Sequence, residues 1–412
     1  MKHTLRYRAY LPDDVASEAW RHIDILRQIR NHAVRDYYNS DYNDRPSDYD
    51  QHSKLTDWTS RWPTFAEPSQ HAAQQAISQI HSDLETLQKR CDEGYNVGRL
   101  KWQGAGEFRS MSYNQSSRFN VDYNTGDGRF VRLRLEKIGW FKLRAERDVP
   151  PADDIDEVIL KKETTGEWYV SLVTSVEDTP EKPSLNEIEP EDCVGIDLGI
   201  TSYIHTSENL SVDTLDLSDE YDRYAREQRT LDRKEHGSNN WEKQRQRVAR
   251  AKRKIKRKVR DYQHKLTTWL VQEYDVVAVE DLDVKPMLET SQNAQNKQDA
   301  AWSRFIELLE YKADLCGAHV VQVKPEGTTK ECASCGVETA KPIWVREHSC
   351  PACGHTDDRD LNAAKNILNR GLKQIGAGRS ESTPMQTALP TFTPQREAVN
   401  AKRVVEVGSP EA

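Results

Sequence analysis

Four cysteines near the C-terminus, Cys332, Cys335, Cys350 and Cys353, stand in the pattern C-x2-C-x14-C-x2-C. Two such pairs, each on a tight turn, bring four thiolates around one ion, so the spacing predicts a single structural Zn2+ in a closed tetrahedron. Four ordinary thiols is the plain alternative. His348 and His355 flank the second pair as substitute ligands, but four cysteines already complete the shell. Shortly afterwards comes the acidic run DDRDLNAAKNI. A zinc hairpin placed just before an Asp-led helix, with two acidic strand ends upstream, reads as an insertion in a metal-dependent nuclease.

At 412 residues the chain has room for two to four domains. Nowhere do 18 apolar residues follow one another, and the opening MKHTLRYRAYLPDD lacks the apolar centre of a signal peptide. Outside the zinc pattern, Cys91, Cys193 and Cys316 are isolated thiols, which suits a reducing cytoplasm rather than a disulfide framework. A prokaryotic cytoplasm is the expected location.

Net charge is -8, from 59 basic and 67 acidic residues, which sits awkwardly with a polyanionic partner. The charge is uneven, however. Between Trp241 and Lys265 there are 12 Lys/Arg against two acids, Glu242 and Asp261, whereas 147–192 is acid-rich. A solvated helix face is the bland explanation. Like charges this dense on one helix repel unless a polyanion or an acidic surface answers them, so a basic groove is the better reading. It nominates Arg245, Arg250, Arg253, Lys254, Arg257 and Lys258 as nucleic-acid contacts. An acidic body around such a groove fits a salt-adapted host.

Residues 2–10 alternate as a strand, and Pro12-Asp13-Asp14 opens a helix to about Tyr38 with Asp as its cap. The polar stretch 39–66 reads as loop. A second helix, 69–91, starts at a capping Ser69 and carries an apolar stripe from Ala73 to Leu87. Gln70, Gln74 and Gln75 on it are candidate base readers or plain surface residues. From about 98 to 177 the period becomes two, with NTGDG marking a hairpin turn. Short strands here plus one at the N-terminus suggest a small β-barrel with a helical insertion. A linker at 177–190 precedes a βαβ-like region. There, Cys193–Ile200 is a strand with Tyr203–Thr206 as hairpin partner, and 219–272 forms one long helix or two. Val248, Ile255, Tyr262 and Trp269 recur every seven residues along it. Core packing is the favoured role for Tyr262 and Trp269; Trp241 could stack on a base. Tyr274–Val279 is a buried strand, Trp302–Leu315 a helix ended by Gly317, and His319–Val323 another strand. A last helix spans 361–370 and ends at Gly371. Residues beyond it have the composition of a disordered tail.

Three carboxylates follow from this layout. Asp197 lies in the strand GIDLGI, Glu280 ends the buried strand VVAVE, and Asp360 sits in the first turn of the last helix. Strand ends are where ligands sit in open α/β sheets. Asp-from-strand, Glu-from-strand and Asp-from-helix is the set an RNase H-like fold uses for two divalent cations. Phosphodiester hydrolysis needs such a pair, since charge grows on both the attacking and the leaving oxygen. Hard Mg2+ keeps much of its water, so three carboxylates suffice. Each acid alone could be a cap or an ion-pair member; Asp357 and Asp358 rival Asp360, while Asp281 and Asp283 rival Glu280. The joint order of strand-Asp, basic helix, strand-Glu, zinc hairpin and helix-Asp carries the weight.

These motifs, GIDLGI, VAVEDL, ECASCG, CPACGH and DRDLNAAKNIL, together with LLEYKADLCGAHVVQVKPEGTTKECASCG and RKVRDYQHKLTTWLV, resemble TnpB. That is the transposon-encoded RNA-guided endonuclease family, also called OrfB-type transposases, related to type V CRISPR effectors. The resemblance spans about 1–374. It implies a multidomain α/β protein: a wedge β-barrel (1–12 and 96–185), a helical recognition module (13–95), an RNase H-like RuvC nuclease domain (186–327), an inserted zinc hairpin (328–356), a closing RuvC helix (357–374) and a disordered tail (375–412). It also implies Asp197, Glu280 and Asp360 as ligands of two catalytic Mg2+ ions, and a guide RNA from the transposon end. The target is double-stranded DNA beside a short adjacent motif, read through guide pairing. A monomer without membrane attachment is expected. Two departures stand out. The family is usually basic, and Gly327-Thr328-Thr329 replaces a commoner Thr-Ser pair, for which no consequence is expected. Competing functions are a nuclease-inactive RNA-guided DNA-binding repressor, disfavoured because all three carboxylates are present, and an RNase H-like transposase or resolvase without a guide. The N-terminal barrel and helical module argue against a minimal resolvase.

Overall fold

The alternating residues at the N-terminus form strand β1 (Lys2–Tyr10), which lies in the middle of a seven-stranded sheet of order β2-β6-β7-β1-β5-β4-β3. A computed structural model describes residues 2–124, 128–176, 179–200, 202–282, 301–340, 342 and 344–376. They divide into two compact units, with the boundary after residue 177. The expected tail beyond 376, the rival Asp283 and the centre of the NTGDG turn lie outside the described residues.

In the first unit β1 pairs antiparallel with β7 (Trp168–Ser175) on one side and β5 (Gly139–Arg144) on the other. The remaining strands are β2 (Ser110–Tyr113), β3 (Phe119–Asp122), β4 (Phe130–Leu135) and β6 (Ile155–Lys162), and every pairing is antiparallel. Helices α1 (Asp13–Asn39), α2 (Asp48–Arg61) and α3 (Gln70–Asp92) are inserted between β1 and β2. Alternate residues Val131, Leu133, Phe141, Leu143, Val158, Leu160, Val170 and Leu172 share one core with Ile23, Leu26 and Ile29 of α1 and Ile77 and Ile80 of α3. Each fully buried aliphatic of this size contributes roughly 1.5–3 kcal/mol of transfer free energy.

Three local expectations are corrected. The stretch 39–66 is not loop throughout. Ser47 and Asp50 form a reciprocal capping box that starts α2, and Gln51, Leu55 and Trp58 give it a buried face. Ser69 does not cap α3 through its side chain; its hydroxyl hydrogen-bonds Glu136 instead. In α1 the N-cap is Pro12, and Asp13 and Asp14 occupy the first turn, where their charge complements the helix dipole.

The second unit is built on a five-stranded sheet of order β10-β9-β8-β11-β12. Strands β8 (Cys193–Leu198), β11 (Val276–Glu280) and β12 (His319–Val323) run parallel, while β9 (Ser202–Thr206) and β10 (Ser211–Asp213) return antiparallel at one edge. Parallel β8 and β11 need a long crossover, supplied here by α4 (Ser218–Asp232) and α5 (Asn239–Glu273). The 219–272 stretch is thus two helices, separated by a turn at Gly237. On α5 the seven-residue recurrence is a packing stripe: Val248, Ile255 and Tyr262 are buried and Trp269 packs partly buried against the same core as β8 and β11. Helix α6 (Trp302–Cys316) ends at Gly317 as expected.

The last helix, α7 (Arg359–Ile375), is longer than 361–370 and passes through Gly371 to end at Gly376. Gly371 is needed for close approach, not for termination. A Cβ there would lie 2.6 Å from the Cβ of Ala278 on β11. Gly195 of β8 does the same from the strand side, since a Cβ would lie 2.2 Å from the carbonyl oxygen of Ala364. Two glycines therefore let α7 lie directly on β8 and β11. Among the described residues no helix is long and apolar enough to cross a membrane.

Candidate active site

Docking of α7 brings the three carboxylates together. Gly195 precedes Asp197 by two residues on β8, and Ala364, which it contacts, follows Asp360 by about one helical turn. On β11, Ala278 meets Gly371 two residues before Glu280. Register adds to this, because Gly195 pairs with Ala278 and Ile196 with Val279, so β8 and β11 deliver Asp197 and Glu280 at neighbouring strand ends.

Electrostatics report the convergence. Burial, then the negative charges of Glu280 and Asp360, push the Asp197 carboxyl up to about 8; Arg359 and Arg346 oppose the shift. Glu280 is buried, and that burial raises its pKa as well, partly offset by the Thr328 hydroxyl. Thr328 Oγ1 donates to Glu280 Oε1 at 2.5 Å. Asp360 is bracketed by two guanidiniums: Arg346 Nη1 donates to Oδ2 at 3.0 Å and Arg359 Nη2 to Oδ1 at 3.1 Å. The cap position belongs to Asp358, whose Oδ1 accepts from the backbone of Asp360 at 2.8 Å and of Leu361 at 3.3 Å. Asp357 pairs with Lys365 at 2.5 Å. Both rivals of Asp360 have structural employment, and Asp360 is the acid of this run whose charge reaches Asp197. Asp197 responds to the charges of both other acids, and carboxylate oxygens are the hard donors that divalent Mg2+ takes.

The cysteines form a tighter cluster. All four sulfurs lie within 4.8 Å of one another, with Cys332 to Cys353 at 3.7 Å and Cys335 to Cys350 at 3.6 Å. A tetrahedral ion with Zn–S bonds of 2.3 Å has S–S edges of about 3.8 Å, so these thiols fit Zn2+ closely. Backbone N–H groups at Cys353 and Ala352 help hold the Cys350 thiol down at about 6. Two short strands, β13 (Glu347–Ser349) and β14 (Thr356–Asp358), pair antiparallel and carry the chain from the second knuckle into α7.

On α5 the six nominated cations are placed unequally. Arg250, Lys254, Arg257 and Lys258 are exposed and Arg245 and Arg253 are half-buried. Lys254 and Lys258 reach Glu220 of α4 at 3.1 and 2.6 Å, and Arg245 pairs with Glu242 at 2.9 Å. Part of this basic stripe is answered from within the protein. Trp241 is half-buried, with the ring of His236 4.4 Å away.

Sequence reading missed four residues beside the site: Thr328, Arg346, Asn362 and Asn366. The last two carried a signal, since amides spaced i, i+4 in LNAAKNI interrupt an otherwise apolar helix face.

An α/β protein with this sheet and a four-cysteine cluster is a Cas12-like fold. Similarity to the chain in "Cryo-EM structure of the Cas12f1-sgRNA-target DNA complex" has a TM-score of 0.55 at 14% identity, over 90% of this chain and 99% of that one. Residues 171–291 match the OrfB_IS605 family, described as "Probable transposase", and residues 302–367 match "Cas12f1-like, TNB domain". A Streptomyces pristinaespiralis protein named "Putative RNA-guided DNA endonuclease" is 31% identical over 92% of this chain and 91% of its own length. "Putative RNA-guided DNA endonuclease InsQ" of Escherichia coli K12 is 28% identical over 80% of this chain and 83% of its own. The chain belongs to this TnpB-like, OrfB-type family.

Proposed function

We propose that the chain is an RNA-guided, Mg2+-dependent DNA endonuclease encoded by a transposable element, acting in a prokaryotic cytoplasm to maintain that element. In this reading the five-stranded sheet with α7 is an RNase H-like RuvC domain (186–327 and 357–374), interrupted by the zinc hairpin (328–356). The seven-stranded sheet is the wedge barrel (1–12 and 96–185), and α1 to α3 form the recognition module (13–95). The observation that supports it is that α7, β8 and β11 bring Glu280 and Asp360, from distant parts of the sequence, close enough for their charges to act on buried Asp197.

Asp197, Glu280 and Asp360 would hold two Mg2+ ions, which when bound activate water and offset the charge on the attacking and leaving oxygens. The protein supplies the rest. Thr328 orients Glu280, and Arg346 and Arg359 fix the rotamer of Asp360. Burial disfavours the bare charge of Glu280, a cost that a bound cation would offset. The exposed cations of α5 track the phosphates of guide or target, and base pairing with the guide reads sequence.

The test is to purify the chain with its bound RNA, sequence that RNA, and present duplex DNA complementary to it in Mg2+. Cleavage of the matched duplex alone is expected. Binding without cleavage points to the repressor reading; cleavage with no copurifying RNA points to an unguided transposase or resolvase.

A further inference from the structure

The zinc hairpin touches the carboxylates at both ends. Its leading limb contains Thr328, nearly fully buried, whose hydroxyl donates to Glu280 at 2.5 Å with the Pro325 carbonyl 3.1 Å away. Its returning limb contains Arg346, whose guanidinium holds Asp360 and whose carbonyl accepts from the Arg359 N–H at 2.7 Å. One acid on β11 and one on α7 are thus each gripped from the same inserted element.

That element is itself sewn to α7. The side-chain oxygen of Asn362 accepts from the N–H of Ala333 at 3.0 Å, inside the first C-x-x-C knuckle, and its amide donates to the Glu331 carbonyl at 2.7 Å. Asn366, one turn on, donates to the carbonyls of Thr328 at 2.8 Å and Glu331 at 2.7 Å. Arg370, one further turn on, donates to the carbonyls of Lys324 at 2.8 Å and Glu326 at 2.9 Å. One face of α7 therefore satisfies the backbone of 324–333, a segment with little regular structure of its own. Both asparagines are buried, so these bonds cannot be exchanged for water.

We propose that Thr328 and Arg346 are positioning residues: the folded zinc hairpin sets Glu280 and Asp360 in place, so that zinc at the cysteines and divalent cations at the carboxylates bind cooperatively. The inference rests on the carboxylate reading above. Side chains that hydrogen-bond metal ligands orient them, and losing one typically weakens metal affinity 10- to 100-fold. Thr328→Val keeps the shape and removes the donor, Thr328→Ser keeps the donor, and Arg346→Gln lies on the exposed limb where folding is least at risk.

The experiment is calorimetric Mn2+ titration of the zinc-loaded full chain, with melting temperatures measured alongside. Asp197→Ala should abolish the binding; if it does not, the carboxylate reading fails and this inference with it. Given that loss, Thr328→Val should weaken Mn2+ binding about ten-fold. Thr328→Ser should stay within about two-fold, and Arg346→Gln should fall between them. Chelating the zinc should weaken Mn2+ binding at least as much as Thr328→Val does. Wild-type affinity in Thr328→Val, a serine variant as weak as the valine one, or unchanged Mn2+ binding after zinc removal would each overturn it.

Discussion

The two clusters of ligand-type side chains in the second unit are assembled in opposite ways. Four cysteines are gathered by two short turns within about twenty residues of chain, and their sulfurs already stand at the edge lengths of a zinc tetrahedron. The three carboxylates come from two strands and a helix spread from residue 197 to residue 360. Nothing local unites them; they meet because α7 lies on β8 and β11 at Gly195 and Gly371. A local site should be sensitive to its own ligands, and a convergent one to packing far from any ligand.

Gly195→Ala should break the convergent site hardest. The added methyl has nowhere to go against the Ala364 carbonyl, so α7 must lift. Overpacking of this kind costs about 3 kcal/mol or more where backbone is the obstacle. Cleavage and melting temperature should both collapse, while zinc content stays near one per chain; wild-type stability with full cleavage would mean the helix is not docked as described. Cys335→Ser tests the other cluster. It should release zinc and lower the melting temperature, yet leave cleavage that raised Mg2+ partly restores, because the carboxylates remain. A zinc-free protein with full activity at ordinary Mg2+ would show the two sites to be independent.

A subtler difference lies in pH. Asp197 is raised to about 8 from an ordinary carboxylate value, so between roughly pH 4 and 8 the folded state binds more protons than the unfolded one. Without divalent cations, stability should therefore fall as pH rises through that window. A cation must displace the same proton, so Mg2+ affinity should rise up to about ten-fold per pH unit until about 8 and then level off. Thermal melts and Mg2+ titrations from pH 6 to 9 measure both, and a flat response would mean that neither burial nor the neighbouring acids raise Asp197.

The smallest expected effects are on α5. Arg250→Ala should weaken RNA binding a few-fold and lower the salt slope by about one. Lys258→Ala should do less, since that ammonium is shared with Glu220 at 2.6 Å. Equal losses would show the Glu220 pairing to be irrelevant to the RNA.

The same division decides what could be read in the amino-acid sequence. The C-x-x-C knuckles, the buried strand ending at Glu280 and the helix ended by Gly317 are local patterns, and they are where reading placed them. Helix α2 hid behind polar composition, although its Ser47–Asp50 capping box was visible. Gly371 looks like a helix stop because a glycine for close packing and a glycine for termination are the same letter; only Ala278 across the interface distinguishes them. Thr328 is visible in the sequence only as part of a Gly-Thr-Thr departure with no expected consequence, and its neighbours do not reveal its partner. Its partner Glu280 lies 48 residues away, so the hydrogen bond leaves no local trace.

The most direct test of the central claim is cleavage of a guide-matched duplex in Mg2+ by the RNA-bound chain and its Asp197→Ala variant. The account predicts that the variant keeps its RNA and its fold and loses cleavage by roughly 1000-fold or more, about 4 kcal/mol in barrier. An Asp197→Ala protein that cuts the matched duplex at the wild-type rate would contradict it.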